Sequence, residues 1–212
     1  MQTNDLIKAL KADAAKPSMP IGRAWWIAII GATIAAAIAF LLLIGPRPDI
    51  VAAAHTLRFL FKFVITLTLA AIAFMVLRAL SRPGINVRHI AQWLVLIPVL
   101  VGASVFAELL AVPSGQWGTV WWGSNVYICL TFIPVIGLVP LGVILAALRH
   151  GAPSRPGLAG AVAGLLAGSV AATFYAAHCT DDSPLFVATW YSIAIAGLMF
   201  LGAILGPRIA RW

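Results

Sequence analysis

The stretch AAHCTDDSPLF, Ala176 to Phe186, places a histidine, a cysteine and two aspartates within five residues. Only 9% of the chain is charged, so this density of ligand groups is out of proportion to the rest. His178 offers nitrogen, Cys179 sulfur, and Asp181 or Asp182 oxygen, with Cys129 as a second sulfur elsewhere in the chain. Three readings fit. Cys129, Cys179 and His178, with a carboxylate, suit zinc, cadmium or copper(I), because soft sulfur donors select such ions. The two thiols alone suit a redox pair, and His178 beside Cys179 favours a thiolate. The structural reading is that Asp182 or Ser183 caps a helix with Pro184 at its first position. The spacing matches no paired CxxC, so the three stay open.

Two further ionisable residues stand inside apolar runs, Lys62 and Glu108. Such residues in a membrane span are functional candidates with a partner to be named, and these two are expected to form an ion pair. The structural alternative is a lysine that snorkels to the surface. Catalysis finds little support. The chain has no CxxC, HExxH or GxSxG, and no phosphate-cradling glycine loop. An enzyme is not expected and no cofactor is required. A transient thiophilic metal ion is the one ligand the residues suggest.

The elements that must position these groups are membrane helices. The 212-residue chain is 62% hydrophobic, well above a soluble domain, and the excess lies in long runs. Six runs suit helices, at about 24–44, 57–80, 90–112, 125–148, 158–177 and 184–205. The fold class is therefore an all-α integral membrane protein, with residues 23–212 as a six-helix domain. Pro134 and Pro140 lie inside the fourth run, where a membrane helix tolerates them. The GPR triplets at Gly45 and Gly206 are expected to stop the first and sixth helices. The first run is longer than a signal peptide needs and follows about twenty mixed residues, so it is expected to be retained.

Charge sets the expected orientation. With the N-terminus inside, eleven of the fourteen Lys and Arg fall inside and only Arg47, Arg58 and Lys62 outside. Both termini are then cytoplasmic. The net charge of +8 follows from topology and gives no reason to invoke nucleic acid as a partner. Trp25, Trp26, Trp93 and Trp212 fall near the inner interface, and Trp117, Trp121 and Trp122 near the outer one, as an aromatic belt anchored in the lipid bilayer. The topology also places Cys129 about 6 Å below the outer surface, level with Cys179. Gly160, Gly164 and Gly168 leave one face of the fifth helix smooth, for packing within the chain or between copies. Residues 1–22 hold NDLIKALKADAAKP, an amphipathic segment with Leu6, Ile7 and Leu10 on one face and Asn4 as its cap. It either lies on the inner membrane surface or docks into a groove on a cytoplasmic protein.

Several stretches together carry a family resemblance: DLIKALKADA, GPRPD, SRPG, LRHGAPSRPGLAGAVAGLLAG, AAHCTDDSPLFVATWY and LGPRIARW. The chain resembles the NrsF-type membrane anti-sigma factors of proteobacteria over nearly its whole length, most specifically from Arg149 to Tyr191. The resemblance implies a six-span protein of the bacterial inner membrane that holds an extracytoplasmic-function sigma factor inactive. It implies that Cys129 and Cys179 sense metal or oxidative stress from the periplasm. The residues themselves add His178, Asp181, Asp182 and Glu108 as candidate metal or thiol-tuning neighbours. Leu6, Ile7 and Leu10 become the sigma-factor contact. The cytoplasmic segment is short for that task, so the loops near Arg82–His89 and Arg149–Pro156 are expected to share it. The alternative is a small metal-handling transporter, in which Lys62, Glu108 and HCTDD line an entry, or a structural membrane subunit.

Overall fold

The computed structural model describes residues 3–5, 7, 20–82 and 84–209. Six helices long and apolar enough to cross a membrane run through them. They are α1 Ile21–Leu43, α2 Leu57–Leu80, α3 Arg88–Ala111, α4 Val126–Leu148, α5 Pro156–Ala176 and α6 Pro184–Ile209. No strand occurs among the described residues. Large apolar side chains such as Leu42, 80% exposed, point outward, as they must when the surrounding solvent is lipid.

Helix α5 sits at the centre, packed on α6, α2 and α4. Its sequence explains the position. Gly and Ala recur along PGLAGAVAGLLAGSVAATFYA, so the helix is thin and can be approached from several sides. Gly160 lies so close to Gly202 and Gly206 of α6 that a Cβ there would strike backbone. The smooth face is thus filled within the chain, by α6. Helix α1 uses a gentler version of the same device. Ala24, Ala28, Ala32, Ala36 and Phe40 recur every fourth residue and form its buried face, which packs on α4.

Helix α3 is the exception. Its first turns pass through a 3₁₀ segment, Gln92–Val95, and between Leu96 and Ala111 only Glu108 is buried. From Leu96 onward Glu108 is therefore the one fully buried side chain of α3, beside half-buried residues such as Ile97.

Two local expectations differ. Gly45, at φ +64°, does end α1, with its N–H donating to Phe40 O at 2.9 Å. The second GPR does not end α6, which continues through Pro207 to Ile209. The carbonyl that a residue without an N–H leaves behind belongs to Ala203, and it faces Gly157 of α5, so packing supports the turn. Trp25 is no belt residue. It is buried, and its Nε1–H donates to Ser81 Oγ at 3.2 Å. With Ala152 N–H donating to Ser81 O, this ties the α2–α3 and α4–α5 loops together at one end of the bundle. Trp26 and Trp93 remain exposed, and Trp212 lies outside the described residues. So do Leu6 and Leu10. Residues 3–5 and Ile7 are helical and exposed, so Asn4 lies within a helix rather than capping it.

Candidate functional site: a buried thiol pair beneath an ion-paired loop

The opposite end of the bundle gathers the start of α2, the end of α3, the start of α4 and the loops that precede α2 and α6. Every residue singled out in HCTDD lies here, together with Cys129, Lys62 and Glu108. Their partners differ from those expected.

Both cysteines are free thiols with no exposed surface. They belong to one hydrophobic cluster with Tyr175 of α5 and Tyr191 of α6. The Cys179 thiol donates to Asp181 O at 3.6 Å. Tyr191 sits in a π-helical turn, Val187–Tyr191, and its buried hydroxyl has no hydrogen-bond partner among the described residues. Burial pushes the Cys179 thiol up, against the opposing pull of Lys62 and of a backbone hydrogen bond at Asp181. His178 does not supply a thiolate-favouring contact. Its Nδ1–H donates to Gly45 O at 2.9 Å, which fixes the tautomer and ties this loop to the end of α1.

Lys62 and Glu108 do not pair. The Lys62 ammonium, 1% exposed, stands 2.6 Å from Asp182 Oδ1 and donates to the Cys179 carbonyl at 2.8 Å. Arg47 reaches the same two acceptors, Cys179 O at 3.3 Å and Asp182 Oδ2 at 3.1 Å, and closes a fork on Asp49 at 2.6 Å. Two cations thus converge on one peptide carbonyl and one carboxylate. The loop offers Lys62 a peptide carbonyl beside the carboxylate, which satisfies more of the ammonium than a lone glutamate can. Beside Arg47, the exposed Asp49 carboxyl is held below the usual carboxylate range.

The remaining acids act as caps on helices other than their own. Asp181 accepts from the backbone N–H of Ser124 at 2.9 Å and of Asn125 at 2.8 Å, at the start of α4. Gly123 makes this possible. Its φ is +64°, and a Cβ there would come within 2.8 Å of the Asp181 carboxyl carbon. Glu108 Oε2 accepts from Ser183 Oγ at 2.6 Å and from Leu185 N–H at 3.1 Å, at the start of α6. Ser183 is itself the N-cap of that helix, as the sequence suggested. Among the described residues Glu108 Oε1 has no hydrogen bond and only the ion pair with Arg58, at 3.5 Å.

The metal reading is altered by this geometry. Among the described residues no group of three or more His, Cys, Asp or Glu side chains is arranged to hold an ion. His178, Asp181, Asp182 and Glu108 are each committed to a protein partner, so the two thiols are the donors left. Arg47 was counted only as a loop charge by sequence reasoning. The pattern RPD, a cation two residues before an acid in a proline-bounded loop, was the available signal. Tyr191 carried no signal at all.

The fold and this site define a multi-pass membrane protein whose polar chemistry is gathered at one end of its helices. The sequence family described as negative regulator of sigma F, NrsF, matches residues 10–212, and the chain belongs to that family. It is 34% identical to the anti-sigma-F factor NrsF of Caulobacter vibrioides strain NA1000 / CB15N, over 100% of both chains. It is 29% identical to the probable anti-sigma-F factor NrsF of Azospira oryzae, again over 100% of both. No solved structure matches the chain.

Proposed function

We propose that this protein is an inner-membrane anti-sigma factor that retains an extracytoplasmic-function sigma factor and releases it when Cys129 and Cys179 react. Membership of the NrsF family over residues 10–212 carries the reading. The distribution of Lys and Arg supports cytoplasmic termini, which puts the thiol end on the periplasmic side. Leu6, Ile7 and Leu10, with the arginine-bearing loops at the same end, form the sigma contact.

Release requires that the signal favour a second arrangement of the helices. An oxidant of the periplasm takes two electrons and two protons from the thiol pair and leaves a disulfide. A thiophilic metal ion instead displaces the thiol protons and binds both sulfurs. Each needs the loop over Cys179 to open, because the thiols are covered. The loop joins α5 to α6, so its opening is transmitted to the helix pair that runs to the other end. A hundredfold loss of sigma affinity needs about 2.7 kcal/mol of coupling.

The test is co-purification of a sigma factor with the full chain from a membrane fraction, with and without oxidant or cadmium. Retention without stress and release with it are expected, and Cys129→Ser and Cys179→Ser should each abolish the release. Equal recovery of the sigma factor by wild type and by a chain carrying Leu6→Asp and Leu10→Asp removes the N-terminal segment from the contact.

A further inference from the structure

Between α2 and α3 lies a cavity of about 910 Å³ that opens to the lipid-facing surface. Leu67, Ala71 and Met75 of α2 and Trp93 and Leu96 of α3 line its length. Arg78 and Arg82 stand at its end, beside the α2–α3 loop. We infer that this groove is a binding site for an anionic phospholipid, with an acyl chain along α2 and the phosphate between Arg78 and Arg82.

Four observations carry this. Helix α3 is held by Glu108 at the far end and contributes no other buried side chain from Leu96 onward, so α2 and α3 do not close on each other here. Along α2 the lining from Leu67 to Ala79 covers roughly 18 Å of helix, enough for one leaflet's hydrocarbon of about 15 Å, and Arg82 lies just past the helix end. Among the described residues neither Arg78 nor Arg82 has a carboxylate partner; Arg78 lies 5.5 Å from the Phe74 ring instead. Of the six acids in the chain, Asp49, Glu108, Asp181 and Asp182 are at the thiol end and Asp5 and Asp13 in the N-terminal segment. Among the described residues, the arginine end of the helical domain therefore carries cations and no acidic side chain. A guanidinium pair at the headgroup level of an apolar groove complements a phosphate. The inference rests on the membrane fold and not on the sigma-factor reading.

Native mass spectrometry of the full-length protein tests it, with phosphatidylglycerol and phosphatidylcholine of identical chains added in equal amounts. Wild type should retain phosphatidylglycerol with about a thirtyfold preference, the effect of two arginines on an anionic headgroup. Arg78→Ala with Arg82→Ala should lose that preference, while Arg78→Lys with Arg82→Lys should keep most of it and controls for folding. Ala71→Trp, which fills the groove and leaves both arginines, should lower retention of both lipids. Equal retention of the two lipids by wild type, or an unchanged preference in the double alanine variant, overturns the inference. So does photocross-linking from a benzophenone side chain at position 71 to a second copy, or to the N-terminal segment, rather than to lipid.

Discussion

The Lys62 ammonium bridges Asp182, at 2.6 Å, and the carbonyl of Cys179, at 2.8 Å. A cation on α2 thus holds the peptide unit of Cys179 on the α5–α6 loop, where burial keeps water from replacing the contact. Lys62→Met removes the cation and keeps much of the stem's packing. Asp182 then depends on Arg47 alone, and the Cys179 carbonyl loses its shorter bond. Breaking a buried pair by removing one partner costs about 3 kcal/mol, and here the loss falls on one loop. Labelling of Cys179 by a water-soluble maleimide should therefore quicken by about tenfold or more through local opening. Lys62→Arg, which keeps the charge, should label close to wild type. An unchanged rate in Lys62→Met removes the latch role from this lysine.

The Cys179 thiol is raised above its ordinary value of 9.0 by burial. It is therefore protonated at neutral pH, and the thiolate is the species that reacts. Alkylation of the folded protein should stay slow through neutral pH and keep rising beyond pH 9 rather than level off there. Stability follows the same sign. A group with its folded pKa above the unfolded one contributes fully below the unfolded pKa, and the contribution is lost as pH rises through the folded value. The melting temperature should thus fall in the alkaline range, and fall less in Cys179→Ser. Reactivity that levels off below pH 9 contradicts a buried, protonated thiol.

That Cys129 and Cys179 fall in one cluster at one end of the bundle was legible because helix rise converts sequence position into height along the helices. The Ser183 cap was legible because capping is a local rule. The pairing of Lys62 was not. Depth alone made Glu108 its natural partner, but the rotation of α2 and α3 about their axes is set by packing. That packing turns Glu108 to the N-terminus of α6 and leaves Lys62 to the loop. Trp25 failed for a related reason. A tryptophan near a helix end suits either an interface or a core, and the tertiary contacts of Trp25 with Ser81 and Phe74 decide between them. The continuation of α6 through Pro207 depended on what stands beside Ala203, which no local signal carries.

Glu108 makes a separate prediction, because it is the one buried side chain of α3 from Leu96 onward. Its Oε2 takes the hydroxyl of Ser183 and the N–H of Leu185, so it holds α3 to the start of α6. Glu108→Ala leaves that N–H with Ser183 alone and frees the end of α3. A loss of about 2 kcal/mol is expected. Backbone hydrogen exchange should increase in 96–111 and at the start of α6. Glu108→Gln keeps a carbonyl acceptor and should lose less. Uniform exchange across all six helices in Glu108→Ala means that α3 is held by something else.

The seam between α5 and α6 carries the last prediction. A Cβ on Gly164 would meet the carbonyl and Cα atoms of Leu198 and Met199, which are backbone and cannot rotate aside. Gly164→Ala must therefore push α6 away along the line that leads to the Cys179 loop, at a cost of about 2 kcal/mol or more. Gly142 on α4 is the control, since it is helical and a Cβ there meets nothing within 4 Å. Gly142→Ala should be neutral or stabilising by about 0.5–1 kcal/mol through helix propensity. Thermal unfolding in detergent measures both. If α5 and α6 transmit the state of the thiols, Gly164→Ala should also change sigma-factor retention without any stress, whereas Gly142→Ala should not. Loss of stability in Gly164→Ala with normal retention and normal release would confine the seam to a packing role and place the transmission on α4, which carries Cys129 and two prolines.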